Sequence, residues 1–435
     1  MKIEIRDGRV VDPAQALDRV APLFIEQGVI AGVGERPRDW HAERVIDARG
    51  CVVCPGFVDL AARLREPGLE HKATLESELA AAAAGGVTSL ACPPDTDPPL
   101  DEPGLVEMLK HRARLIGLAH VFPVGALTVG LKGTTLTEMG QLAEAGCVAF
   151  SQADVPFHDT LMLLRALQYA GTFGHRVWLR PQDPYLAHGG VAHDGEVATR
   201  LGLPAIPVAA ETIALSKIFG LVRASGVGVH LCRLSSAEGV EMVRAAKADG
   251  LPVTCDVDAH HLHLCDIDIG WFDPQANLMP PLRSPGDREA LSRGVADGTI
   301  DAICSDHAPV DDDGKQMPFG EAEPGATALE LLLPLTLRWA ANARLSLPDA
   351  LARITTRPAA ILGLAAPSLT KGTSADVCIF DPTAAWTVRR DALRSQGKNT
   401  PFLGLEVVGR VRATVLGGRV VHEAPDSERR MDRRS

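Results

Sequence analysis

The chain has 435 residues, 46% of them hydrophobic and 23% charged, which is enough to bury the core of one large domain and a smaller one. Its formal net charge of -11 repels polyanions, and no block of like charge offers a footprint to nucleic acid or to a lipid surface, so both are excluded as partners. Nine cysteines scattered through apolar segments suit reduced, buried thiols better than a disulfide framework.

The first residues, Met1 to Arg6, alternate polar and apolar like a strand and do not read as a signal peptide. No uninterrupted apolar run spans a bilayer, and the expected location is the cytoplasm. Residues 1–54 carry short alternating runs broken by turn signals such as Glu26-Gln27-Gly28. Within them Cys51-Val52-Val53-Cys54 has CxxC spacing. No second pair completes a zinc tetrad, and the reading is structural.

From Pro55 onward one unit repeats: a short β-branched run ending in polar residues, then an Ala- and Leu-rich segment of helical period. Eight such strands are predicted, at Gly56–Leu60, Val87–Cys92, Ala119–Val124, Cys147–Ser151, Arg176–Arg180, Val227–Arg233, Pro252–Asp256 and Ile300–Asp306. Helices are predicted at Leu75–Ala84, Ala209–Ala224 and Ala237–Ala248, among others. Eight βα units imply a closed parallel barrel over 55–367, a (β/α)8 fold of the α/β class, with its chemistry at the C-terminal ends of the strands. Residues 368–423 return to alternating patterns, and with 1–54 they are expected to form one small β-sandwich domain. The tail 424–435 is poor in apolar residues and is expected to be disordered.

Several eye-catching groups have bland readings. His260, His261 and His263 are expected to be structural. His230 and Ser235 share a strand end, but no motif of an activated nucleophile surrounds them. Asp311-Asp312-Asp313-Gly314-Lys315 lacks the closing Glu of a calcium loop and reads as a solvated loop.

The motifs Pro55-Gly56-Phe57-Val58-Asp59-Leu60, Leu64-Arg65-Glu66-Pro67-Gly68, Pro280-Pro281-Leu282-Arg283, Ser305-Asp306-His307-Ala308-Pro309 and Asn399-Thr400-Pro401-Phe402 occur in one order along the chain. In this the sequence resembles the dihydroorotases of the amidohydrolase superfamily over nearly its whole length. The resemblance implies a distorted barrel of the amidohydrolase type. In working relatives it also implies a divalent metal centre that activates water to open or close a cyclic amide.

Set against that pattern, the ligand positions are replaced: Ala61 and Arg63 stand where two histidines belong, Gln152 and Ala153 where an acidic pair belongs, and Arg180 and Arg233 where two further histidines belong. Asp306 alone is kept among the ligands, and Asp154 substitutes for the lost carboxylate only if the register slips. Asp95, Met279 and Val310 mark drift at positions around the substrate. A divalent ion 4 Å from one guanidinium at an effective dielectric of about 20 is repelled by roughly 8 kcal/mol. Arg63, Arg180 and Arg233 facing one mouth therefore exclude it, and no cofactor is expected; zinc is expected only if the site has rearranged.

The resemblance points further to inactive dihydroorotase-like chains that accompany the catalytic chain of aspartate carbamoyltransferase, in a hetero- or homo-oligomer. Two alternatives stand beside it. One is a working metal-dependent dihydroorotase. The other is an anion sensor built on Arg63, Arg65, Arg180, Arg233 and His307, set against the plainer expectation that the arginines pair with Asp59, Asp154 and Asp306.

Overall fold

A computed structural model describes residues 1–424, so the tail expected to be disordered lies outside the described residues except for Ala424. Ala424 is buried, and its amide donates to the Arg412 carbonyl at 2.8 Å. Among the described residues no helix is long and apolar enough to cross a membrane.

The eight barrel strands are β1 (Phe57–Asp59), β2 (Val87–Cys92), β3 (His120–Ala126), β4 (Ala149–Ser151), β5 (Val177–Leu179), β6 (Val229–Leu231), β7 (Val253–Asp258) and β8 (Ala302–Cys304). Each pairs in parallel with the next, giving one eight-stranded sheet in sequence order. The two ends of that sheet meet past the strands proper. There the His307 amide donates to the Ala61 carbonyl and the Arg63 amide to the His307 carbonyl, both at 2.8 Å. The barrel is thus nearly closed, and its seam is drawn shut at the C-terminal face.

Five of the eight strands are shorter than the sequence predicts, and at β6 and β8 the hydrogen-bonded ladder stops before a left-handed residue. Arg233 has φ 58° and Asp306 φ 44°, so β6 and β8 end before them. The helices follow their signals closely. Leu75–Ala84 opens on a capping box between Thr74 and Ser77 and stops at Gly85, Ala237–Ala248 is capped by Ser236, and Ala209–Ser225 runs one residue past expectation.

Besides a two-stranded pair, Ala192–His193 with Ala205–Ile206, two larger sheets lie beside the barrel. One has four strands, in the order Val29–Val33, Leu23–Glu26, Lys2–Arg6 and Arg44–Asp47. The other has six and mixes both chain ends: Arg419–Glu423, Glu406–Leu416, Val377–Thr387, Val52–Pro55, Arg9–Asp12 and Leu17–Val20. Their facing sides bury Ile3, Ile5, Ile25, Val53, Ile379 and Val415 in a core of their own. Cys54 pairs in register with Cys378 inside this sheet, and all nine cysteines are free.

Candidate functional site

The mouth of the barrel is built from residues just past the strand ends. Arg63 follows β1, Asp95 follows β2, Asp154 follows β4, Arg180 follows β5, Arg233 follows β6 and Asp306 follows β8. Ala153, Arg233 and Asp306 all have positive φ, as does Arg65. This conformation is uncommon for residues with a Cβ, and it turns the chain sharply where the strands end. Gly68, in the Glu66-Pro67-Gly68 motif, sits at φ 90°, and a Cβ there would lie 1.7 Å from the Asp97 carbonyl oxygen. The loops after β1 and β2 therefore pack backbone to backbone.

Arg63 is nearly buried and spends its guanidinium on three carboxylates. Nε donates to Asp95 at 2.7 Å, Nη1 to Asp306 at 2.9 Å and Nη2 to Asp154 at 2.6 Å. Arg233 bridges the same pair, donating from Nη1 to Asp306 at 2.8 Å and from Nη2 to Asp154. Arg180 sets its Nε 2.8 Å from Asp154 and donates from Nη2 to the Asp154 carbonyl at 2.9 Å. Asp154 is thereby shared by three arginines and Asp306 by two. Three positive and three negative groups close into a neutral cluster.

Burial pushes the Asp154 carboxyl up, but Arg233, Arg63 and Arg180 outweigh it and hold it well below the usual carboxylate range. Burial likewise lowers Arg63, and Asp95, Asp154 and Asp306 more than reverse this, so both partners stay charged. Beneath the cluster is a cavity of about 30 Å³, lined in part by Ala61, Ala153, Trp178 and Cys232. That is room for about a water molecule, whereas small-molecule sites usually span hundreds of cubic ångströms.

Other predicted residues fall elsewhere. Asp59 does not pair with an arginine; both its oxygens accept from Ser305, at 2.6 Å from the amide and 2.6 Å from the hydroxyl, and burial raises its pKa to about 6. His307 is not a ligand-binding group at the mouth. It is fully buried, its Nδ1 accepts from the Ala328 amide, and its Nε2 therefore carries the proton and donates to Glu78 at 2.5 Å. Arg65 stays outside the cluster, with Nε donating to the Pro309 carbonyl at 2.9 Å. Gln152 turns away, accepting from Thr128 and donating to the Leu131 carbonyl.

His230 and Ser235 do not meet. His230 lies between Thr254 and Asp256, while Ser235 donates to Glu211 and accepts from Arg283. His261 bonds Asp258, His260 stacks on Phe402, and His263 contacts the Leu335 carbonyl, all as parts of the packing. The Asp311–Lys315 run is not a solvated loop. Asp311 caps a short helix, Asp312–Gln316, and buried Lys315 donates to the carbonyls of Pro274 and Asn277. Sequence reasoning missed the pairing of Asp95 with Arg63 and the buried Glu78 and Glu211. A Glu at position 78 on the apolar face of an Ala-rich helix was the available signal for the first of these two.

The residues present do not fit a divalent metal centre. Guanidinium groups occupy the mouth, the carboxylates there are already paired, and among the described residues no three His, Cys, Asp or Glu side chains converge as a ligand set.

A nearly closed parallel barrel, with sheets from both chain ends beside it, is the fold of the amidohydrolases. The L-hydantoinase (dihydropyrimidinase) of Arthrobacter aurescens shares it with a TM-score of 0.85 over 97% of this chain and 96% of that one, at 24% identity. The Dihydro-orotase-like family matches residues 50–239 and the Amidohydrolase family residues 188–421. A dihydroorotase-like protein of Pseudomonas aeruginosa is 46% identical over 97% of this chain and 100% of its own length. A dihydroorotase of Syntrophotalea carbinolica is 41% identical over 98% and 100%. The chain belongs to the dihydroorotase-like members of the amidohydrolase family.

Proposed function

We propose that this chain is a catalytically inactive dihydroorotase-like protein that serves as an assembly subunit for the catalytic chain of aspartate carbamoyltransferase, the preceding enzyme of pyrimidine synthesis. The observation that carries the first half is the cluster of Arg63, Arg180 and Arg233 with Asp95, Asp154 and Asp306. It pairs the carboxylates that would bind a metal, and the cavity beside it is only about 30 Å³. Two guanidiniums hold Asp306 Oδ1, where a metal ligand would otherwise be offered. The second half rests on the resemblance set out from the sequence. A barrel kept whole without its chemistry is a scaffold, and no interface follows from the fold alone.

Co-expression with the carbamoyltransferase of the same organism tests the assembly. The expected result is a single co-eluting hetero-oligomer on size exclusion; separate elution of the two chains overturns it. The rival reading, a working dihydroorotase, is favoured by full-length relatives of that name at 40% and 41% identity. It requires bound metal and turnover of dihydroorotate. The anion-sensor reading is weakened because three of its four arginines already pair with carboxylates.

A further inference from the structure

The geometry points to a role for the mouth cluster beyond the loss of activity: we propose that the Arg63 guanidinium is the site's built-in cation, the structural stand-in for an ion that would otherwise tie the strand ends together. Arg63 presents three donor edges, and each meets a carboxylate from a different part of the barrel: Asp95 after β2, Asp154 after β4 and Asp306 after β8. With Arg63 itself after β1, one side chain ties four strand ends together. Arg180 and Arg233 attach the ends of β5 and β6 through Asp154 and Asp306. Six of the eight strand ends are thus linked without a metal.

Arg63 also sits beside the seam, where its own amide donates to the His307 carbonyl. Its removal would leave three carboxylates facing one vacated space, against two remaining arginines. Asp95 and Asp154 retain partial exposure, with side chains 24% and 34% accessible, so a small ion can reach that space from solvent. This role of Arg63 is independent of the carbamoyltransferase assembly.

Chemical rescue tests it. Arg63→Ala in the full-length chain is expected to melt about 4 °C below wild type, the size expected for breaking a buried ion pair in a chain this long. Millimolar guanidinium chloride should recover most of that loss. Urea at the same concentration, which has nearly the same shape but no charge, should recover none, and wild type should respond to neither. An Arg63→Ala protein that melts with wild type, or that guanidinium and urea affect alike, overturns the proposal. Asp154→Asn removes a carboxylate instead and serves if the first variant does not fold. It should also melt below wild type and gain nothing from guanidinium; unchanged melting, or a gain from guanidinium, counts against the proposal.

Discussion

The same residue type meets different fates at the strand ends of this barrel. Asp154 is held ionised by three arginines, while Asp59, at the end of β1, is buried with Ser305 as its hydrogen-bond partner and has a pKa raised to about 6. For Asp59 the sign of the pH effect follows directly. A folded pKa above the unfolded value of about 3.9 means that the folded state binds more protons between about pH 4 and 6, so its stability falls as pH rises through that window and levels off above it. The group's cost at neutral pH is about 3 kcal/mol in the limit of full burial. Asp59→Asn removes this dependence. Urea unfolding at a series of pH values should show the variant gaining on wild type between pH 4 and 6 by up to that amount, with a constant offset above. Two parallel curves would contradict the assignment.

Between elements, buried carboxylates act as joints. Glu211, on the Ala209–Ser225 helix, accepts from the amides and hydroxyls of both Ser235 and Ser236 at the start of the next helix, and Arg283 donates to the same Ser235 hydroxyl. Glu211→Ala strands these buried donors and should cost about 3 kcal/mol in urea unfolding, with faster amide exchange over residues 235–240. A loss under about 0.5 kcal/mol would show the joint to be incidental. Gly239 belongs to the same contact, since a Cβ there would lie 2.2 Å from Glu211 Oε1, and Gly239→Ala should weaken it too. Such joints are hard to read in sequence, because a Glu in a helix reads as solvated until its neighbours are known. The strands were legible, since β-branched runs recur between helical segments from Val87 to Ile303. Their ends were less so, because Arg65, Ala153, Arg233 and Asp306 take left-handed conformations that no glycine announces. The departures from the resembled pattern were legible as substitutions within named motifs. Which carboxylate would neutralise which arginine depends on depth in the pore, and periodicity does not encode depth; hence Asp95 joined the cluster and Asp59 did not.

At the scale of the whole molecule, the fold of a hydrolase is retained around a mouth whose charges are satisfied from within. The barrel is drawn shut at its seam by the backbone bonds of His307, and the His307–Glu78 pair extends the mouth's supports to Ser395 and Gln396 near the chain's other end. Each carboxylate of the mouth already has a guanidinium against it, so an incoming divalent cation meets a fixed positive group at every ligand it could use there. Elemental analysis of protein purified without chelator is the most direct measurement. The account predicts zinc, manganese and iron far below one equivalent per chain, in preparations that leave dihydroorotate unchanged; one or two equivalents of metal retained through gel filtration, with turnover lost on their removal, would contradict it.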